Sequence, residues 1–236
     1  MNKDIFGNAC LDYLNSKDKK IAIKVKSDIV ETDVIPVEYL FRNFDQMPVL
    51  EQKALLISEG NILDVGACAG SHSLYLQNIG KSVTSIDKSK GCCEVMHSRG
   101  VKNIIREDIF AYKEKKYDTI LLLMNGIGIA GTLPEFPAFL NHLKNLLNPS
   151  GRIIFDSSDL QYLYYEDDGS LNIPFTERYY GEITYQMEYK GNNSKKFSWL
   201  FVDPFTVENI AKECCFEMQF IAEGEHYDYL ACLINE

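Results

Sequence analysis

From residue 61 to residue 158, short apolar runs of strand length alternate with helical segments, and that rhythm constrains the fold more than any other feature. "NILDVG" reads as a strand and "SHSLYLQNIG" as a helix closed by Gly80. "SVTSID" is a second strand, and the helix through "KGCCEVMHSRG" stops at Gly100. "NIIRED" and "YDTILLLMNG" are a third and a fourth strand. The helix in "LPEFPAFLNHLKNLLNPSG" is predicted to end at Pro149 and Gly151, and "RIIFDSSD" is the fifth strand. Apolar strands separated by helices specify a parallel sheet covered on both faces. The predicted fold class is therefore α/β, a doubly wound and mostly parallel sheet.

The rhythm then breaks. "PFTVENIAKECC" is a helix for which Thr206 is the expected cap. "FEMQFIAEG" and "DYLACLIN" are two strands joined by "EHY", too short a link for a parallel crossover. They must be antiparallel neighbours, so the predicted sheet has seven strands with an antiparallel last strand. Two segments lie outside this pattern. Residues 1–57 form an N-terminal helical prefix, with an amphipathic helix in "KDIFGNACLDYLN". Residues 159–203 form a Tyr-rich insertion that alternates in "RYYGEITYQMEYKGNNSKKFSWLFVD", a β-hairpin turning at "KGNNSK". The expected organisation is a prefix or lid over 1–57 and one domain over 58–236 that carries the insertion.

A net charge of −10 over 236 residues argues against a nucleic-acid partner, which calls for a basic face. The most apolar stretch, "TILLLMNGIGIAG", is too short to span a bilayer, so no membrane partner is expected. The first residues lack the apolar core and cleavage site of a signal peptide. Seven cysteines without a C-x-x-C spacing indicate neither a metal site nor a disulfide framework. The expectation is reduced, mostly buried thiols in a cytoplasmic protein.

In such a sheet, ligands bind beyond the carboxyl ends of the strands. The polar residues predicted there are Asp64, Asp87, Asp108, Asn125 and Asp156. Between the first strand and its helix lies Gly66-Ala67-Cys68-Ala69-Gly70, a run of small residues against which a ligand backbone can lie.

This set resembles the class I, Rossmann-like S-adenosylmethionine-dependent methyltransferases. "LDVGACAG" looks like their first motif, an acid followed by a glycine-rich loop. Asp87 in "SID" matches the acid that binds both ribose hydroxyls, with Lys88 beside it. Asp108 in "RED" matches the acid before the adenine-contacting position, here Ile109, and "MNGIG" places Asn125 and Gly126 where the family lines its reaction centre. The resemblance covers about 61–235 apart from the insertion. It implies S-adenosyl-L-methionine as cofactor, held by Asp64, Gly66, Ala67, Cys68, Gly70, Asp87, Lys88, Asp108, Ile109, Asn125 and Gly126. It also implies methyl transfer to a small-molecule acceptor by direct in-line displacement. One position departs from the usual G-x-G-x-G: Cys68 replaces the middle glycine. A Cβ is uncomfortable at positive φ, so ordinary β or α backbone is predicted there.

Each residue also has a plainer reading. Asp64 either braces the loop or meets the cofactor, and Asp87 could serve only as a helix N-cap. Asp108 could belong to an ordinary turn. Asn125 inside an apolar run is costly unless bonded, which favours a functional role. The candidate catalytic residues are Asn125, His72 and Tyr39. Those for the acceptor are Glu38, Arg42, Asp156 and Tyr162, an aromatic and polar mixture suited to a small, partly apolar ligand. The hairpin is either a wall of that pocket or a surface that packs on the sheet or on a second copy, as in a homodimer.

Three other functions compete with this one. A nicotinamide-dependent oxidoreductase also pairs a Gly-rich loop with an acid, but the loop spacing is G-x-x-x-G and Asp64 precedes the first glycine. A non-catalytic module that keeps the cofactor pocket would carry the same residues. A nucleic-acid methyltransferase is opposed by the acidic charge and by "NGIG" where an N-P-P-aromatic stretch would stand.

Overall fold

A computed structural model describes residues 4–29, 32–173 and 177–235. In chain order, α1 (Ile5–Ser16), β1 (Ala22–Ser27), β2 (Asp33–Pro36) and α2 (Val49–Ile57) make up the prefix. β3 (Asn61–Val65), α3 (Ser71–Asn78), β4 (Ser82–Ile86), α4 (Lys90–Arg99), β5 (Ile104–Ile105) and β6 (Tyr117–Leu122) follow. Then come α5 (Phe136–Asn145) and β7 (Leu147–Ser158). The insertion contributes β8 (Glu182–Tyr189), β9 (Asn192–Asn193) and β10 (Phe197–Leu200). The chain closes with α6 (Pro204–Glu213), β11 (Phe216–Glu223) and β12 (Asp228–Asn235).

Seven strands form the main sheet in the order β11-β12-β7-β6-β3-β4-β5. β3 to β7 pair in parallel, whereas β12 is antiparallel to both β7 and β11. The predicted doubly wound sheet with its antiparallel last strand is thus present. Period-two alternation explains why both faces need cover. Leu63, Ile120 and Ile153 pack with Phe139, Leu143 and Ala211 of α5 and α6 on one face. Their neighbours Ile62, Leu121 and Ile154 pack with Leu50, Leu55 and Leu76 of α2 and α3 on the other.

Boundaries moved where local chemistry overrode pattern. The third strand shrinks to Ile104–Ile105, and α5 ends at Asn145, so Pro149 and Gly151 lie within β7 rather than ending a helix. Asp203, not Thr206, caps α6: its Oδ1 accepts the Thr206 N–H at 2.9 Å, while Pro204 sits in the first turn where no N–H is needed.

The hairpin turns at Lys190 and Gly191, both at positive φ. It does not stand alone. β8 pairs with β1 (Lys24 opposite Glu188), which joins prefix and insertion in one antiparallel sheet, β10-β8-β1-β2, with β9 on β8. Ile23, Val25, Met187 and Tyr189 share a core with Ile5, Ala9 and Cys10 of α1 and with Ala69 of the small-residue loop. This second sheet therefore stands over the carboxyl ends of β3 and β4.

Candidate cofactor and acceptor site

The loop after β3 is pinned to the next strand, because Gly66 and Ala67 donate their N–H groups to the Ile86 carbonyl at 2.9 and 3.3 Å. Gly66 and Gly70 hold φ of +70° and +77°, conformations that favour glycine. A Cβ on Gly70 would also come within 2.8 Å of Val101. Cys68 departs from expectation: its φ is +51°, not β or α. The reason lies behind the loop, where its thiol packs between α1 and α4.

Asp87 emerges from β4 with its carboxylate fixed. Oδ2 accepts the Cys68 N–H at 2.9 Å and Oδ1 the Ser89 N–H at 2.8 Å, so each oxygen keeps a lone pair for a further donor. Burial raises its pKa, opposed by those two N–H groups. Asp108 is exposed, takes the Phe110 N–H at 3.1 Å and lies 3.8 Å from Lys88 Nζ, while Ile109 is buried. The glycine loop, the Asp87 carboxylate and the Asp108–Ile109 turn thus fall on one edge.

Asp64 is buried, and Ser73 Oγ donates to it at 2.6 Å while Ser85 Oγ donates to Ser73. Burial raises its pKa. It therefore braces β3 against α3 from beneath the loop.

Around this edge lies a buried charge cluster that joins the prefix to the strand ends. Glu51 of α2 accepts from Arg42 through both carboxylate oxygens and contacts His72 Nε2 at 2.6 Å. Burial works to raise the Glu51 pKa, but the hydrogen bond and charge of His72, with Arg42, outweigh it and hold the acid low. Burial likewise disfavours the imidazolium of His72, yet Glu51 and the charge of Asp64 raise its pKa overall. The Nε2 of His72 is thus taken up by Glu51 within the cluster.

Arg42 is 6% exposed, bonded to Glu51 and donating to the Tyr39 carbonyl at 2.6 Å. Its charge is already matched by Glu51 rather than turned toward an acceptor. Instead its guanidinium lies 3.9 Å from the centroid of the Tyr39 ring, orienting a side chain that remains 40% exposed. Glu38 pairs with Lys19 at 2.6 Å on the outside, away from a pocket role.

Asn125 takes the left-handed conformation at φ +54°. Its N–H donates to Asp156 Oδ2 at 3.0 Å, its Nδ2 to the Leu200 carbonyl at 3.2 Å, and its Oδ1 accepts from Ser157 Oγ at 2.8 Å. The amide ties β7 to β10, and that is a positioning role rather than the catalytic one expected. Gly126 opens a buried turn over Gly126–Ala130 in which a Cβ would meet only Leu122, at 3.4 Å. Two residues on, Gly128 lies so close to Trp199 that no side chain fits.

Asp156 is different. Among the described residues its Oδ1 is one of few buried side-chain polar atoms without a hydrogen-bond partner. Burial pushes its pKa up to about 7, opposed by the Asn125 N–H and reinforced by the charge of Glu51. Tyr162 is 39% exposed and stacks on Tyr227 at 5.0 Å.

Glu51, Ser73 and Ser157 carry this network and escaped the sequence reading. Glu51 had a signal: it sits one helical turn before Leu55, on the same buried stripe as Leu50 and Ala54. An acid on an apolar stripe must find a partner.

The edge described above defines a cofactor-binding α/β domain, and comparisons agree. Residues 63–155 match the family described as a methyltransferase domain. A crystal structure of an S-adenosylmethionine-dependent methyltransferase from Bacteroides fragilis, in complex with S-adenosyl-L-homocysteine, is 43% identical. It superposes with a TM-score of 0.92, over 99% of this chain and 96% of that one. The chain belongs to the S-adenosylmethionine-dependent methyltransferase family, and its cofactor is S-adenosylmethionine. Two more distant structures share the fold. The CcbJ methyltransferase of Streptomyces caelestis has a TM-score of 0.61 and 12% identity, over 82% of this chain and 95% of that one. The PH0226 protein of Pyrococcus horikoshii has a TM-score of 0.58 and 22% identity, over 79% and 88%. No functionally curated protein sequence matches the chain. Among the described residues no helix is long and apolar enough to cross a membrane.

Proposed function

We propose that this chain methylates a small molecule at a nitrogen or oxygen that carries a proton, with Asp156 as the group that receives it. The observation that carries this reading is the unpartnered, buried Oδ1 of a carboxylate whose pKa is about 7. A base poised near the working pH combines the correct protonation state with useful driving force. The bound cofactor supplies a methyl group on a sulfonium, already activated for a single in-line displacement. The protein's own task is alignment and exclusion of water.

In this reading Asp87 accepts the ribose hydroxyls, Gly66 to Gly70 let the cofactor backbone approach, and Lys88, Asp108 and Ile109 border the adenine. Tyr39 and Tyr162 supply exposed rings for the acceptor wall.

The test is transfer of labelled methyl from S-adenosylmethionine across a panel of small amines, alcohols and phenols. With the substrate in hand, Asp156→Asn should lower kcat by roughly a hundredfold or more and leave cofactor affinity within about tenfold. Full kcat in that variant removes Asp156 as the base. Label found only on protein or nucleic acid overturns the small-molecule acceptor.

A further inference from the structure

Three thiols from distant parts of the chain meet behind the cofactor loop. Cys68 Sγ lies 3.9 Å from Cys10 Sγ and 3.8 Å from Cys92 Sγ, and all three sulfurs fall within 4.8 Å of one another. Cys10 and Cys92 are buried and Cys68 half-buried, all as free thiols. Separations of 58 and 24 residues hide the group from any spacing motif, which is why no metal site was expected.

The placement is built into the packing. α1 and α4 approach at Gly7 and Gly91, where a Cβ on Gly91 would sit 2.6 Å from the Gly7 backbone. Asp4 locks that contact: Oδ1 accepts from the Gly7 N–H at 3.0 Å and from Ser89 Oγ at 2.7 Å, and Oδ2 from the Gly91 N–H at 2.9 Å. Cys10, nearly one turn beyond Gly7, is thereby set against Cys92, next to Gly91. The third thiol joins them from a backbone conformation that favours glycine, φ +51° at Cys68. Retained strain of this kind points to a use for the side chain.

We propose that Cys10, Cys68 and Cys92 form a three-thiolate site for a thiophilic divalent cation with a filled d shell, of the zinc or cadmium kind. An ion about 2.3 Å from each sulfur holds the sulfurs roughly 3.8–4.0 Å apart, and two of the three edges have that spacing already. An all-sulfur donor set selects such ions over magnesium or calcium. Three thiol protons pass to solvent as three sulfur–metal bonds form, so the filled site carries one net negative charge. Arg99 offsets it: the guanidinium, within electrostatic reach of Cys10 and Cys68, is held by the Ala69 carbonyl at 2.6 Å and Ser71 Oγ at 3.1 Å. The ion staples α1 and α4 to the loop whose other side faces the cofactor. The site stands on sulfur geometry and does not depend on the acceptor chemistry.

The experiment titrates the full chain, reduced and freed of metal, with Cd(II), and follows the ultraviolet thiolate-to-cadmium charge-transfer band together with equilibrium dialysis. One saturable equivalent is expected, and Zn(II) should displace it. Cys68→Gly suits the local φ and keeps the fold, so it should weaken that equivalent by at least about a hundredfold, as should Cys10→Ala. Cys215→Ser, at an exposed thiol, should keep it. No saturable equivalent in the wild type, or one that survives in Cys68→Gly, overturns the proposal.

Discussion

Asp156 offers the sharpest test of the buried electrostatics, because its effect on stability has a fixed sign. Its carboxyl ionises at an ordinary 3.8 when exposed and at about 7 in the fold. Folding therefore favours the protonated acid. The stability this group allows is whole below pH 3.8, falls as pH rises, and stops falling once pH exceeds about 7, where the folded form ionises too. The full loss is about 4 kcal/mol, at about 1.36 kcal/mol per unit. Between pH 5.5 and pH 8.5 the remaining part is about 2 kcal/mol. Asp156→Asn keeps the shape and cannot ionise, so the ligand-free variant should gain on the wild type by about 2 kcal/mol across that window. Urea denaturation at several pH values measures the difference, with m-values compared to confirm a common transition. A flat difference would show that Asp156 ionises as an exposed carboxylate does, and the base proposed for methyl transfer would lose its support.

Three further outcomes follow from the same contacts. Asp87→Ala should weaken S-adenosylmethionine binding by roughly 2–4 kcal/mol through two lost charge-assisted bonds; calorimetry showing unchanged affinity would take Asp87 out of the site. Glu51→Ala leaves Arg42 and His72 buried without their shared anion and should cost about 3–5 kcal/mol in urea denaturation, whereas a loss below about 1 kcal/mol would mean that water already screens the cluster. Asn125→Leu puts a bulky residue at φ +54° and breaks the tie to Leu200 and Ser157, so thermal stability and turnover should fall together while cofactor affinity stays within about tenfold. Asn125→Gly, which suits that φ, should recover the larger part of the stability, and failure to do so would shift the cost from backbone strain to the amide.

Alternation made the main sheet legible. Ile62 and Leu63 face opposite sides, and each finds a helix, so a pattern of apolar strands and intervening helices is enough to require the doubly wound arrangement. The position of Asp87 was equally plain, because it directly follows an apolar strand. Where a residue's role depends on what stands opposite it, sequence proximity carries little. Arg42 reads as a free cation in an aromatic stretch until Glu51, nine residues on, closes on it. His72 reads as a base until the same carboxylate engages its Nε2. Cys68 reads as a poor glycine until the two thiols that receive it are in place.

The roof over the site shows the same limit at longer range. "IAIKVKS" carries period two, with Ile21, Ile23 and Val25 on one face and Lys24 and Lys26 on the other, yet the prefix was expected to be helical, and β1 and β2 correct that expectation. The partner of β1 was not legible either, because backbone hydrogen bonds are blind to side chains and any edge strand can supply them. What selects β8 is the shared core, with Val25 opposite Met187 above α1, and the matched charges outside it, Lys26 to Glu188 at 2.7 Å. These choices couple segments about 160 residues apart, since Lys26 and Glu188 are separated by 162 positions. A prefix held in this way is not a detachable lid. Removal of residues 1–45 would strip β8 of its neighbour and Cys68 of its cover, so loss of cofactor binding should accompany loss of transfer. A truncated chain that still binds S-adenosylmethionine with full affinity would show that the loop of Gly66 to Gly70 keeps its shape without the sheet above it.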